Sequence, residues 1–217
     1  MHTPIEKELD ELKQRLLTMA SHTESAVNRA MEALATRNYD LALQVRDDDE
    51  VLDRFEIEID ELAIALLSKA PLASDLRLVV ASMKISQNLE RVGDEATKIA
   101  KRARDLSKEP PIKLQLELPQ MAALALGLLK KSLDAFVHRD PASARALIPQ
   151  DKAVNALHKQ ISLRLTEFMM SDRESIPRCL HLLIVTRSLE RIADHAKNVA
   201  EEVVYLCEAQ DIRHAGK

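Results

Sequence analysis

Two short acidic motifs carry the clearest chemistry in this chain. The string Leu89-Glu90-Arg91-Val92-Gly93-Asp94 returns as Leu189-Glu190-Arg191-Ile192-Ala193-Asp194, 100 residues later in a chain of 217. In each copy a Glu and an Asp are four residues apart, so both carboxylates lie on one side of a helix. Such neighbours repel each other, and a bound cation would relieve the repulsion. Each motif is therefore a candidate part of a metal site.

The similarity between the two halves extends beyond the motifs. Ala96, Ala100 and Leu106 return as Ala196, Ala200 and Leu206, and upstream the spacing is 102 residues, where Arg37-Asn38 matches Arg139-Asp140. A repeat of this length indicates two duplicated domains, because a solenoid would need at least three short units.

The preceding helix in the first half supplies further carboxylates, in an acidic line of Asp49, Asp53, Glu56 and Asp60. Asp53 and Glu90 lie at nearly equal distances along the chain on either side of Pro71, and so do Asp49 and Asp94; within each pair the two distances differ by a single position. In an antiparallel hairpin that turns at Pro71, equal separations from the turn mean equal heights. The spacing therefore predicts that these four carboxylates converge at one level.

The second half repeats this register with one difference. Asn155 and Glu190 lie almost equally far from Asp172 along the chain, and Asp151 and Asp194 do the same, again to within a single position. Asn155 stands where the first half has Asp53, so the predicted second site has three carboxylates instead of four.

Oxygen-only ligands suit hard cations such as Mg²⁺, Ca²⁺, Mn²⁺ or iron, and neither predicted ligand set includes a thiolate that would favour zinc. For a single acidic pair, the alternative is a solvated helix face on which a neighbouring cation neutralises the charge. Three such pairs are available at helical spacing, namely Asp94 with Lys98, Asp194 with Lys197 and Glu190 with Arg187. The duplication and the matched heights together favour a cation site in each half.

The elements that must position these residues are all helical. The chain has 3 Gly, no Trp and 5 other aromatic residues, and it is rich in helix-forming residues. Helical periodicity and turn residues predict six helices, at about 5–36, 41–69, 72–107, 118–138, 142–170 and 176–207. Residues 108–113 contain two prolines and are the predicted linker. We predict an all-α fold of two tandem three-helix up-down bundles, residues 1–109 and 114–217.

Composition and charge argue against several classes of protein. A net charge of −4 disfavours a nucleic-acid partner. The longest apolar run, Met121 to Leu129, is 9 residues and too short to span a bilayer, and the N-terminus has no signal-peptide core, so we expect a cytoplasmic protein. Cys179 and Cys207 fall in one helix roughly 42 Å apart and cannot form a disulfide.

The chain resembles the PhoU family, the accessory proteins of phosphate-specific transport. The resemblance rests on the two LER(V/I)xD strings, on the acidic string of the second helix and on Pro71-Leu72-Ala73-Ser74-Asp75-Leu76-Arg77. It covers nearly the whole chain and implies two three-helix bundles that bind metal clusters. By match to the motif, the implied metal ligands are Asp49, Asp53, Glu90, Asp94, Asp151, Glu190 and Asp194, and the ion is Mg, Mn, Fe or Zn.

The resemblance also implies a function without catalysis. The protein would be a negative regulator of the phosphate-starvation response that contacts the ATPase subunit of the phosphate ABC transporter and the sensor histidine kinase. It would have no membrane span of its own and would reach the membrane only through these partners.

Two other classes of function compete with this interpretation. A di-iron carboxylate enzyme needs inward-facing Glu and Glu-x-x-His pairs, and no His here has Glu three residues before it. A hydrolase is not supported, since there is no nucleophile elbow or Gly-rich phosphate loop, and His195 is interpreted as a rim residue and not as a base. The second competitor is a helical adaptor or metal-storage bundle without a role in phosphate signalling.

The acidic pair of each motif is predicted to lie roughly opposite the core stripe of its helix, and apolar residues precede it on that same side. They are Leu76, Val79, Val80 and Met83 in the first half and Ile176, Leu180 and Leu183 in the second. These rows predict either a homodimer or partner surface, or packing against the first helix of each half.

Overall fold

The computed structural model describes residues 4–69 and 72–213, apart from the side chains of Asp47 and Asp48. All regular structure in these two ranges is helical, which confirms the predicted all-α fold. The α-helices are α1 (Pro4–Thr36), α2 (Tyr39–Leu67), α3 (Ala73–Ser107), α4 (Leu118–His138), α5 (Pro141–Leu147), α6 (Asp151–Ser171) and α7 (Ile176–Glu208). The predicted turn at Pro71 lies outside the described residues.

One predicted helix is wrong as a continuous element. The expected helix over 142–170 is divided into α5 and α6 by a 3₁₀ turn at Ile148–Gln150. Pro149 is the reason, because it has no amide hydrogen to donate and its ring clashes with the carbonyl of the preceding turn. The other five predicted helices are present, with ends that differ by at most two residues from those expected.

The matching turns confirm the duplication at the level of single residues. Arg37 and Arg139 end α1 and α4 in the left-handed conformation, with φ of 56° and 50°. The next residue in each half caps the following helix: the Asn38 side chain accepts a hydrogen bond from the Leu41 amide, and Asp140 accepts from the amides of Ala142 and Ser143. Helix N-caps favour such side chains because they satisfy amides that have no partner within the helix.

The two halves are joined through their third helices. α3 packs against α1, α2 and α7, whereas α7 packs against α3, α4, α5 and α6. Neighbouring helices therefore follow the order α2, α3, α7, α6. Helix α1 packs against α2 and α3, and α4 packs against α6 and α7. One hydrophobic core runs through both halves. The domain boundaries 1–109 and 114–217 remain predictions.

The contact between α3 and α7 is antiparallel and contains buried charges. Glu95 on α3 is 2% exposed, and its carboxylate lies 2.9 Å from Lys98 and 3.1 Å from Arg191. His195, expected at a rim, lies in this contact instead, where its Nδ1 is 3.0 Å from Asn88 Oδ1 and burial lowers its pKa. His195 therefore helps to join the two halves of the chain.

Gly93, inside the first acidic motif, allows α2 and α3 to approach closely. A Cβ at this position would lie 2.3 Å from Cδ1 of Leu52, which is 1% exposed. In the second half the corresponding residues are Ala193 and Val154, both fully buried. The larger residue on α7 is matched by a smaller one on α6, so each half fills the same space in its own way.

This pairing predicts a compensated double substitution. We expect Gly93→Ala to lower the free energy of unfolding by about 1–2 kcal/mol. Overpacking costs about 1–3 kcal/mol, and the higher helix propensity of Ala offsets up to about 1 kcal/mol of that cost. Adding Leu52→Val should recover most of this loss by recreating the second-half pair. Urea unfolding of both single variants and the double variant measures the coupling, and strictly additive effects would contradict it.

Candidate metal centres

The first candidate centre lies in the groove between α2 and α3. The Glu90 and Asp94 side chains are 17% and 34% exposed, while that of Arg91 between them is 54% exposed. The predicted position of the acidic pair, opposite the core stripe, is wrong in detail. Because α3 is covered on three sides, by α1, α2 and α7, its acidic pair lies on the flank that faces α2.

Carboxylates from both helices act on one another in this groove. The pKa of Glu90 is raised to about 7, first by burial and then by the negative charges of Asp94, Glu56 and Asp53, against the opposing effect of Arg91. Burial also raises the pKa of Asp49, with Asp53 and Asp94 as the next causes. The four predicted carboxylates therefore share one electrostatic environment, as the matched heights indicated.

Glu56 is a fifth member that was not assigned to the site from sequence. Burial raises its pKa first, followed by Asp60, while Asp53 and Asp94 add to the effect and Arg91 opposes it. The available signal was its position three residues after Asp53, on the same side of α2. The acidic line was visible, but the part of it that α3 covers was not.

Positive side chains compensate these charges only weakly. Arg91 is 3.4 Å from both Glu90 and Asp94, longer than a good charge-assisted hydrogen bond. Lys98, the expected partner of Asp94, pairs with Glu95 instead. The first groove therefore retains a concentration of negative charge.

The second candidate centre lies in the groove between α6 and α7. The Asp151 and Glu190 side chains are 11% and 14% exposed. Burial raises the pKa of Asp194, followed by the charges of Glu190 and Asp151, with Lys197 and Arg187 opposing. Asp194 therefore interacts electrostatically with the other two predicted carboxylates of this groove.

The nearest counter-ion in the second groove, Arg187, is closer to its carboxylate than Arg91 is in the first. Arg187 lies 2.6 Å from Glu190 as expected, whereas Lys197 lies 3.5 Å from Asp151 and not beside Asp194. In this groove Asn155 Oδ1 is buried without a hydrogen-bond partner, whereas the buried Glu190 Oε2 is ion-paired with Arg187.

Comparison with known proteins identifies the fold and its repeat. The model of the PhoU domain matches residues 16–103 and again residues 118–203, one match in each half. The chain belongs to the PhoU family. Within the part of a PhoU-family chain described here, no helix is long and apolar enough to cross a membrane.

PhoU relatives match along nearly the whole chain. A phosphate-specific transport system accessory protein PhoU homolog from Pseudomonas putida is 39% identical over 211 residues, which cover 96% of this chain and 82% of the relative. The phosphate-specific transport system accessory protein PhoU of Escherichia coli strain K12 is 33% identical over 210 residues, covering 96% and 87%.

Two solved PhoU structures share the fold. The crystal structure of PhoU from Pseudomonas aeruginosa has a TM-score of 0.90 at 37% identity and covers 94% of this chain and 99% of its own. The phosphate transport system regulatory protein PhoU from Streptococcus pneumoniae has a TM-score of 0.89 at 30% identity, covering 95% and 98%. The arrangement of two three-helix units is therefore shared with these proteins.

The donor chemistry of both PhoU grooves fits a divalent cation. Partly buried carboxylates with raised pKa values occur in both grooves, and the second groove also has a buried amide oxygen without a hydrogen-bond partner. A cation would stabilise such groups. Among the described residues, however, no three His, Cys, Asp or Glu side chains stand in a geometry that could hold an ion. Rotation of these side chains would be needed to close either site, and metal binding remains a prediction.

The raised pKa of Glu90 predicts a pH-dependent stability without metal. Because this pKa is about 7 in the folded chain and ordinarily 4.5, the folded form holds a proton that the unfolded form has lost across this window. Stability therefore falls as pH rises from about 4.5 to 7. Glu90→Gln should raise the free energy of unfolding at pH 8 by on the order of 1–2 kcal/mol, less than the full shift because the groove is open to solvent.

Urea unfolding in EDTA at pH 4.5 and pH 8 measures this effect. Exposed Glu109→Gln serves as the control and should leave the pH dependence unchanged. Parallel pH profiles for the wild type and Glu90→Gln would show that burial does not penalise the Glu90 carboxylate.

Proposed function

We propose that this protein is a cytoplasmic metal-binding regulator of phosphate uptake and phosphate signalling. The observation that carries the proposal is similarity over 96% of the chain to proteins named as accessory to phosphate-specific transport. The regulator is negative: when phosphate is plentiful, it holds the phosphate-starvation genes off.

Regulation proceeds by protein contact and not by catalysis. The proposed partners are the ATPase subunit of the phosphate ABC transporter and the cytoplasmic part of the sensor histidine kinase. The two grooves flank the central α3–α7 pair, so one molecule can present both grooves to its partners. A cation in a groove would neutralise its carboxylates and lower the electrostatic cost of docking a second surface there.

The proposed cation is Mg, Mn, Fe or Zn, with the first groove binding hard ions more tightly. Five carboxylates face the first groove, three the second, and affinity for hard cations rises with the number of charged ligands. The competing di-iron enzyme is less well supported, because such centres are built in a bundle core and these carboxylates lie in grooves between helices.

A binding experiment tests the proposed contacts. The full chain, immobilised without a metal-chelating tag, is offered the purified cytoplasmic part of the kinase and the purified transporter ATPase. The measurement is made with millimolar Mg²⁺ and Mn²⁺ and again in EDTA. Retention of at least one partner, stronger with metal, is expected. Retention of neither partner in either condition would reject the proposed contact mechanism.

We also propose that the protein forms a homodimer. The residues of the apolar rows before the two motifs differ in exposure. Val79 is fully buried in the core, whereas Leu180, Ile176 and Leu76 are 50%, 37% and 36% exposed. Together with Ile184, which is 40% exposed, the two outer residues of α7 form an apolar surface suited to self-association.

Substitution of an exposed residue tests the dimer without damaging the core. Leu180→Asp is expected to shift the wild-type dimer to monomer in sedimentation experiments, with unchanged helical content. Lys159→Asp, an exposed position on α6, is the control and should remain dimeric. A monomeric wild type, with and without metal, would reject the proposal.

A further inference from the structure

The polar line of α6 differs in chemistry from its counterpart on α2. At the repeat spacing of 102 residues, the acidic line Asp49, Asp53, Glu56 and Asp60 corresponds to Asp151, Asn155, His158 and Ser162. The second half keeps the first carboxylate and replaces the other three by an amide, an imidazole and a hydroxyl. The second groove therefore contains a nitrogen donor that the first groove lacks.

Polar atoms along this line are buried and have no partner. Asn155 Oδ1, His158 Nδ1 and Ser162 Oγ are each shielded from solvent without a hydrogen bond. Spacings of three and four residues place them along one side of α6. A buried polar atom without a partner is destabilising, so this line lowers the stability of the chain unless another group satisfies it.

The facing helix α7 presents a carboxylate to this line. Glu190 Oε2 is buried and is ion-paired with Arg187, 2.6 Å away. Glu190 and Asn155 are almost equally far along the chain from the turn at Asp172, so the two lie at nearly the same height. His158 is less than one helical turn from that level, at about 1.5 Å per residue. The Arg187 side chain is 60% exposed and can swing into solvent when an ion binds Glu190.

We propose that His158 is a metal ligand and gives the second groove a preference for a borderline transition ion such as Zn²⁺, Ni²⁺ or Co²⁺. This inference rests on the metal binding proposed above and adds that the two halves select different ions. Imidazole suits Zn²⁺, Ni²⁺ and Co²⁺, whereas carboxylate oxygens suit Mg²⁺, Ca²⁺ and Mn²⁺. Replacing Asp53 and Glu56 by Asn155 and His158 also removes two negative charges, which weakens attraction for a hard ion.

Titration of the metal-stripped full chain with Zn²⁺ and with Mn²⁺ tests the preference. The wild type is expected to show two classes of sites, with the ratio of Zn²⁺ affinity to Mn²⁺ affinity larger in the class formed by the second groove (the Zn²⁺ class) than in the class formed by the first (the Mn²⁺ class). His158→Gln should lower affinity for the Zn²⁺ class by at least about tenfold, the effect that even outer-shell partners of metal ligands have. The Mn²⁺ class should not change. Glu56→Gln, the matched variant of the first half, should weaken the Mn²⁺ class alone.

A spectroscopic readout separates ligation from a structural effect. With one equivalent of Cu²⁺ as the probe, pulsed electron paramagnetic resonance should detect an imidazole nitrogen in the wild type and lose it in His158→Gln. His138→Gln, at an exposed histidine on α4, is the control and should retain the signal.

The reverse substitution keeps the test decisive should His158→Gln fold poorly. Asn155→Asp with His158→Glu recreates the first-half pattern, and it should weaken Zn²⁺ binding while strengthening Mn²⁺ binding in the second groove. Unchanged Zn²⁺ affinity and an unchanged nitrogen signal in the His158 variants would overturn this inference and leave the two metal sites standing. Absence of ion binding by the wild type in both grooves would overturn the metal sites themselves.

Discussion

Replacing Glu90 and Asp94 together by Ala is expected to abolish tight cation binding in the first groove and to leave the protein folded. The double variant removes two of five carboxylates, and affinity for hard cations should fall by at least about a hundredfold, within the range over which ligand charge and rigidity tune calcium sites. Because both residues line a groove and not the core, the helices should persist. The metal-free form should be at least as stable as the wild type, since like-charge repulsion is relieved.

Isothermal calorimetry with Mn²⁺ and circular dichroism measure the two parts of this prediction. Glu109→Ala with Glu167→Ala makes the same change in net charge at exposed positions outside the grooves, and it should bind as the wild type does. A wild-type isotherm for the Glu90 and Asp94 double variant would show that these carboxylates are not ligands.

Deleting the gene in its host should switch on the phosphate-starvation genes while phosphate is plentiful. A negative regulator that acts by contact leaves the sensor kinase unrestrained when it is lost, so a reporter for those genes should reach the level seen in starved cells. The measurement is reporter activity in phosphate-replete medium with and without the gene.

Complementation connects this phenotype to the grooves. The wild type and the Glu109 and Glu167 control variant should restore repression, whereas the Glu90 and Asp94 variant should restore it incompletely. Full repression in the deletion strain itself would remove support for a negative regulatory role.

The duplication and the helices could be predicted because their signals are local. Helical periodicity, turn residues and the repeat spacing are all visible within one stretch of chain, and even the pair of capping turns at Arg37-Asn38 and Arg139-Asp140 was visible as a match. The break at Pro149 was missed because periodicity continues on both sides of it, although proline inside a helix is a known cause of such a break.

The candidate sites were only partly predictable, because their details depend on how helices from different parts of the chain pack. Matched heights brought Asp53 level with Glu90, and their electrostatic coupling agrees with that placement. Glu56 was seen as part of an acidic line, but its membership in the groove depends on the flank of α3 that faces α2. The burial of Glu95 could not be predicted for the same reason, since its partner Arg191 belongs to the other half of the duplication.

The partners of the charged side chains were the least predictable feature. Helical spacing alone allowed Lys98 to pair with either Asp94 or Glu95, and allowed Lys197 to reach Asp194. In the folded protein, Lys98 forms an ion pair with Glu95 at the α3–α7 contact, and Lys197 forms one with Asp151 on α6. Contacts between helices decided both outcomes.

Anomalous diffraction from crystals of the full-length chain grown with Mn²⁺ tests the central claim most directly. The account predicts anomalous density in two places: between α2 and α3 beside Glu90 and Asp94, and between α6 and α7 beside Glu190 and Asp194. The first density should be the stronger at low Mn²⁺ concentration. Anomalous density at neither groove, with Mn²⁺ at millimolar concentration and pH 8, would contradict it.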